Sequence, residues 1–423
     1  MSAKVSAIPS MLLLLVGFNL SAPGESIQRD NAEKVGIDSE RLGRMHAMVQ
    51  RHIDDNKHAG AVTLVARKGK IADVATFGYR DLEARVPMTP ETIFRIYSMS
   101  KIITSAAALM LFEEGRFGLD DSVADYVPEL RSLKVVNPAG GDAGDFARLK
   151  RPITIRHLLT HTAGFTYDFS APDQLKQHWA KADVWNEAVD FKEFIRRISF
   201  VPLAHQPGDK YTYGVNTDVL GYLVQVISGV PFEQFLQERM FSPLKMVDTG
   251  FDVPPDKMAR LAKLYENGAD KSLRPVAKPP YGTYAEPGKG FPSGGGGLFS
   301  TANDYFRFGQ MLLNGGVLDG KRVLGRKTVE FMTVNQLTFL EKPSLDARGA
   351  DGFGLGGSVR LDLAKGGTLG SVGQFGWSGA ATTTFIMDPQ EQMIAILMAQ
   401  HLPFNQHGIF QKFSTLVYAS LGD

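Results

Sequence analysis

The sequence predicts a mixed α/β (α+β) fold: an antiparallel sheet built from both chain ends, flanked by helices, with a mostly helical region inserted between. Three observations carry this reading. Near the N-terminus, Ala61 to Ala66 and Ile71 to Phe77 are strand-like runs joined through Lys68-Gly69-Lys70, the pattern of a hairpin. Near the C-terminus, Thr382 to Met387 and Met393 to Met398 flank Asp388-Pro389-Gln390-Glu391 as a second hairpin. Between them, from about Leu119 to Tyr265, apolar residues recur mostly at helical spacing. Strands and a helix at each end, with helices between, leave one shared sheet as the economical solution.

Taken in order, the chain opens with Lys4 ahead of an apolar run, Met11 to Phe18, and a small-residue exit at Ser21-Ala22-Pro23-Gly24. This reads as a secretory signal over residues 1–22, cleaved between Ala22 and Asp30, and it predicts a periplasmic or secreted protein. The run is too short to span a bilayer, and no other segment reads as an integral membrane span. Leu42, Met45 and Val49 place an amphipathic helix over Asp38 to His52. Helical stretches follow at Ile153 to Leu159, Phe191 to Ile198, Val219 to Ile227 and Phe232 to Met240. Ala277 to Gly297 is a glycine- and proline-rich return, then come helices over Ala302 to Asn314 and Ile409 to Leu421. The expected division is a sheet domain from residues 30–100 plus 285–423 and a helical domain from 101–284, with the active site between them.

Composition narrows the function. Of 423 residues, 43% are hydrophobic and 22% charged, the balance of an ordinary globular protein. The net charge of +1 and the lack of a basic stripe argue against a nucleic-acid partner. Without cysteine there are no disulfides, thiolate metal sites or cysteine nucleophiles. No His/Asp/Glu cluster has ligand spacing, so neither a metal nor a cofactor is expected.

The stretch that carries chemistry is Phe94 to Lys101, running into the apolar segment Ile102 to Leu111. Ser98 stands where a strand-like run gives way to a helix that continues to about Glu114 and stops at Gly115. Ser98 and Lys101, three apart, share one face of the first turn. The Ser98 amide is among the helix N-terminal donors that lack an intrahelical partner and so can bind an oxyanion. Ser-x-x-Lys alone is common, and it recurs at Ser242-Pro243-Leu244-Lys245, where it reads as a surface turn. Context separates the copies: the helix after Lys101 is apolar nearly all round, and a lysine at the head of a buried helix is costly without a role or partner.

Two further stretches stand out. Lys210 to Gly221 puts Tyr213 in a loop just before a helix, and Phe375-Gly376-Trp377-Ser378-Gly379-Ala380-Ala381 leads into the C-terminal hairpin with residues small enough for close ligand approach. By themselves, Tyr213 reads as a packing aromatic and Trp377 as core or pocket wall.

In combination, these segments resemble the serine β-lactamase-like hydrolases, the group of class C β-lactamases, D-alanyl-D-alanine carboxypeptidases and family VIII carboxylesterases. The likeness runs from about Val35 to the end. It takes in Ser98-Met99-Ser100-Lys101, Ile153 to Phe165, Tyr213 to Gly221, Ser242 to Thr249 and Gly295 to Asp304, in family order. The resemblance implies Ser98 as the acylated nucleophile, Lys101 as its proton partner, and Tyr213 as the second member of the base pair and acid to the leaving group. It implies an oxyanion hole from the amides of Ser98 and Ala380. A serine needs a base within hydrogen-bond reach, and paired amides at the oxyanion contribute on the order of 3 kcal/mol each.

Where the family's class C members carry Lys-Thr-Gly and Tyr-x-Asn, this chain has Trp377-Ser378-Gly379 and Tyr213-Gly214-Val215, with Asn216 displaced by one residue. The expected substrate pocket therefore comprises Trp377, Ser378, Gly379 and Asn216. Losing the cation that would pair a penicillin or stem-peptide carboxylate favours neutral groups. The resemblance is thus strongest to the family VIII carboxylesterases. The expected function is a serine carboxylesterase for short-chain or moderately bulky esters, with weak β-lactam (cephalosporin) hydrolysis left open by Asn216. The alternatives are a β-lactamase or D-alanyl-D-alanine carboxypeptidase, and more remotely a non-catalytic penicillin-recognition protein. A Ser-His-Asp hydrolase would need a Gly-x-Ser-x-Gly elbow, and Gly376-Trp377-Ser378-Gly379-Ala380 fails at its last position, so His161 reads as structural.

Overall fold

A computed structural model describes residues 30–137 and 145–422, so the expected signal segment lies outside the described residues. The first hairpin pairs β1 (Gly60–Arg67) with β2 (Lys70–Asp81), closing at Arg67↔Lys70. Its two-residue turn needs positive φ at both positions, which Lys68 (53°) and Gly69 (77°) supply. A short β3 (Val86–Pro87) extends that edge. The C-terminal half contributes β4 (Asp351–Phe353), β5 (Ser358–Arg360), β6 (Phe375–Gly379), β7 (Thr383–Asp388) and β8 (Met393–Ala399). All eight form one antiparallel sheet in the order β4-β5-β6-β7-β8-β1-β2-β3. The seam between the chain ends is β8 against β1, in register from Ala61↔Ala399 to Arg67↔Met393. The expected sheet built from both ends is therefore the observed one.

Both faces of the sheet are covered, which is why every residue of β1 and β8 is buried. Alternate residues serve opposite cores. Ala61, Val65, Ala395 and Leu397 pack with helix α1 (Ser39–Asp54) and the last helix of the chain, Ile409–Ala419. Val62, Leu64, Ile394 and Ile396 join the larger core that contains helix α2 (Ser100–Glu113). From Ser100 to Leu111 every residue of α2 is buried. Gly115, at φ 71°, supplies the left-handed stop.

The inserted region is mostly helical, as expected. Helix α3 (Phe191–Ile198) and helix α4 (Asn216–Ser228) belong to the same continuous core as α2, through Phe194, Leu220 and Leu223. The region also holds two short strand pairs that the helical reading missed, Lys134–Val136 with Phe146–Arg148 and Tyr265–Asn267 with Leu273–Pro275. Three-residue strands are too short to establish a period of two. Helix α5 (Ala302–Leu313) follows the glycine-rich return, and Ile409–Ala419 is α6. No single helix among the described residues is long and apolar enough to cross a membrane.

Candidate active site

Ser98 sits in a tight helical turn, Tyr97–Met99, that leads directly into α2. The backbone reaches it through Tyr97, whose φ of 43° is unusual for a bulky residue and marks a strained bend held by burial. The bend leaves Ser98 half-exposed at the floor of a cavity of about 900 Å³ while its neighbours Tyr97 and Met99 are buried. One turn on, Lys101 is fully buried. Its Nζ donates to Ser98 Oγ (3.1 Å), Tyr167 OH (2.9 Å) and the Gly295 carbonyl (2.6 Å), so all three ammonium hydrogens have acceptors. Aromatic faces complete its surroundings, with Nζ 4.6 Å from the Tyr213 ring centroid and 5.3 Å from that of Tyr167.

This arrangement specifies what Lys101 can do. The Gly295 carbonyl can only accept, so it always takes one N–H. If the amine is neutral, its lone pair is left to face one of the two hydroxyls, Ser98 Oγ or Tyr167 OH, both of which line the cavity. The geometry thus allows a proton to pass from Ser98 Oγ to Nζ without rearrangement.

Tyr213 lies at the same cavity, but its hydroxyl accepts from Trp377 Nε1 at 3.3 Å, and its ring, not its oxygen, faces Lys101. The hydroxyl that meets Lys101 belongs to Tyr167, a residue the sequence reading did not single out. Tyr167 is buried and tilted against Tyr213, with ring centroids 5.4 Å apart. Burial first, then the neighbouring Asp218 and tyrosines, hold its phenol well above the ordinary range, so it keeps its proton at neutral pH. The sequence carries a weak pointer to it. Gly164-Phe165-Thr166-Tyr167 follows the His161-Thr162-Ala163 turn, and such apolar loop residues must pack somewhere.

Trp377, Ser378 and Ala380 line the cavity with Ser98, at the end of β6. Two residues expected in the pocket stand elsewhere. Gly379 faces the backbone beside the nucleophile, where a Cβ would fall 2.2 Å from the Ile96 carbonyl oxygen. Its role there is to let β6 approach the Ser98 turn. Asn216 opens α4, is fully buried, and bonds His161 Nδ1 through its amide nitrogen at 3.0 Å. A side chain committed to that bond is not part of the cavity wall. His161 is buried beneath Tyr213, its ring 5.0 Å away, and burial together with the Lys101 charge holds it well below its ordinary pKa, hence neutral. Ser242 and Lys245, the second Ser-x-x-Lys, are both exposed.

The rest of the cavity is aromatic near Ser98, with Tyr167, Phe169, Trp185 and Tyr281 as one wall. Farther out it reaches Arg348 and Arg360, and each is paired, with Asp346 (3.1 Å) and Asp351 (2.6 Å). No group of three His, Asp or Glu residues among the described residues is placed to hold a metal.

Comparison with known proteins agrees with this architecture. The family model described as Beta-lactamase matches residues 45–418. Protein Rv1367c of Mycobacterium tuberculosis is 38% identical over 374 residues, which cover 84% of this chain and 89% of that protein. Esterase EstB of Burkholderia gladioli is 31% identical over 289 residues, covering 62% of this chain and 68% of EstB. Among solved structures, EstCE1, described as a hydrolase with promiscuous acyltransferase activity, superposes with a TM-score of 0.78 at 26% identity, over 90% of this chain and 99% of that one. With a match that spans most of its length, the chain belongs to the beta-lactamase family and is a serine hydrolase of that fold.

Proposed function

We propose that the protein is a carboxylesterase that hydrolyses short-chain or moderately bulky esters through an acyl-enzyme on Ser98. The observation that carries this reading is the short contact between Ser98 Oγ and a buried Lys101 whose other two hydrogens are already taken by Tyr167 and Gly295. In this mechanism Ser98 Oγ attacks the ester carbonyl as its proton passes to Lys101 Nζ. The amides of Ser98 and Ala380 receive the oxyanion. The C–O bond to the alcohol then breaks as a tyrosine hydroxyl gives its proton to the departing oxygen and takes up the one held on Lys101 Nζ, which leaves the amine neutral again. Water repeats the sequence on the acyl-enzyme and releases the acid.

The preference for neutral esters is supported by Trp377 in the cavity wall and by the pairing of both lining arginines with carboxylates. A substrate carboxylate would meet no free cation among the described lining residues. Asn216 is engaged by His161 and does not compensate, so β-lactam turnover is expected to be weak. Which tyrosine delivers the proton is a second question. The bond to Lys101 favours Tyr167, while its place in the family motif favours Tyr213.

A panel of p-nitrophenyl esters beside nitrocefin tests the reading. Esters are expected to be the better substrates, with Ser98→Ala about 10⁴-fold slower or worse and an acyl adduct on the Ser98 peptide by mass spectrometry. A preference for nitrocefin refutes the ester assignment, and full turnover by Ser98→Ala refutes the mechanism.

A further inference from the structure

Beneath Lys101 lies a carboxylate that the mechanism above does not use. Asp218 occupies the first turn of α4 and is fully buried. Its Oδ1 accepts from Ser293 Oγ and from the Gly295 amide (3.1 Å). Its Oδ2 has no hydrogen-bond partner among the described residues. That bare oxygen packs against Gly295, where a Cβ would fall 2.4 Å from it, so the contact admits only glycine. A buried carboxylate oxygen with nothing to accept from is costly, and a structural anchor for the loop would not need it.

Gly295 connects the carboxylate to the base. Its amide is held by Asp218, and its carbonyl accepts from Lys101 Nζ at 2.6 Å. The preceding peptide is fixed at its other end, where the Gly294 carbonyl accepts from Thr104 Oγ1 at 2.8 Å. Thr104 and Lys101 lie on the same helix, α2. The loop is therefore clamped between α2 and α4, with one glycine presenting an amide to an acid and a carbonyl to an amine. The ionisable groups around Asp218 are Lys101, whose charge opposes the effect of burial on the carboxyl, and Tyr167, whose phenol its charge disfavours ionising. His161, held neutral by burial, also feels the Lys101 charge.

We propose that Asp218 is a positioning residue for Lys101, aiming the amine at Ser98 through the Gly295 peptide and placing a buried negative charge behind it. This rests on the Ser98–Lys101 reading. Asp218 does not touch the substrate. It sets where the Lys101 amine points.

Asp218→Asn preserves the shape and the acceptor at Oδ1 but removes the charge. With active sites counted by a fluorophosphonate probe, kcat toward p-nitrophenyl butyrate is expected to fall about 10- to 100-fold with KM within about twofold. Ser293→Ala, which keeps the charge but frees Oδ1 from one donor, is expected to lower kcat about threefold to tenfold, and it decides the matter if the asparagine variant does not fold. Wild-type kcat per active site in Asp218→Asn, or wild-type kcat in Ser293→Ala where only that variant folds, would overturn the inference. Ser98→Ala run in parallel separates the two ideas: if it stays active, the underlying mechanism fails, whereas an inert Ser98→Ala beside a normal Asp218→Asn sinks only the role of Asp218.

Discussion

The molecule holds two buried polar clusters that solve opposite problems. At the site, Lys101 has an acceptor for each of its hydrogens and aromatic faces around it. Where β1 begins and β8 ends, His52, His58, His401 and His407 cluster with neighbouring ring centroids 5.1 to 5.5 Å apart, the first two stacked and the others edge-on or tilted. Neither ring nitrogen of His52 or of His58 has a partner among the described residues. His401 and His407 each reach one, the Asn267 side-chain oxygen, at 2.9 Å. Burial first, then neighbouring charges, pushes the His58 imidazole from 6.5 down to about 2 and His401 to about 4. One cluster is built to hold and pass a proton. The other tolerates being buried only because it stays neutral. Burial alone therefore does not mark a functional polar group; a reactive partner at the cavity, as Lys101 has in Ser98, does.

That contrast predicts where each cluster fails. The largest effect belongs to Lys101→Met, which should cost about 10⁴-fold in kcat while Lys245→Met leaves turnover unchanged, as steady-state ester hydrolysis can measure. Comparable losses in both would erase the distinction between the buried copy and the exposed one. Next come Tyr167→Phe and Tyr213→Phe. The tyrosine that transfers protons should lose 10²- to 10⁴-fold, and the one that only packs less than about tenfold, with melting temperatures nearly unchanged in both.

The histidine cluster should respond in stability instead. Its folded-state pKa values lie below those of the unfolded chain, so the unfolded chain takes up protons first as the pH falls. The stability they permit is complete above about pH 6.5 and declines between there and about pH 4, by about 1.4 kcal/mol per pH unit for each such histidine. His58→Phe, which cannot take up that proton, should flatten the denaturant-midpoint profile between pH 6.5 and 4 with kcat untouched at pH 8. An unchanged slope would mean that His58 does not titrate on unfolding. The smallest effect is expected from Trp377→Phe, which deletes the donor to Tyr213 OH. A net hydrogen bond of about 1 kcal/mol corresponds to roughly a fivefold change in kcat/KM. A loss beyond about a hundredfold would make the indole part of the chemistry.

Much of this was legible in the sequence, for local reasons. Lys68-Gly69 closes a hairpin by turn chemistry, and the apolar run after Lys101 exposes a buried helix. Both signals lie within a dozen residues. What was not legible depends on contacts between distant residues. Tyr167 meets Lys101 across 66 positions, and nothing in its loop announces that. The histidine cluster joins residues 52 and 58 to 401 and 407, two unremarkable pairs until the sheet brings them together. Asn216 misled because a motif offset by one residue on a helix turns a side chain by about 100°, here toward His161. Asp218 did leave a trace: a lone carboxylate directly before the apolar run Val219-Leu220, in a helix that carries no other charge, is a residue to question.

The seam between β8 and β1 has a consequence for how the molecule comes to be. Its register pairs Ala61 with Ala399, so the centre of the sheet joins segments with nearly the whole chain between them. Loop closure on that scale comes late and is entropically unfavourable until it is complete. On a ribosome, the first hairpin and α1 must wait with their apolar faces uncovered until the last strands emerge. The turn that carries Ser98 packs against β6, another late arrival, so catalytic competence is among the last properties the chain acquires. Refolding followed by ester turnover should lag behind refolding followed by helical circular dichroism, and the lag should lengthen when chaperones that shield exposed strands are withheld.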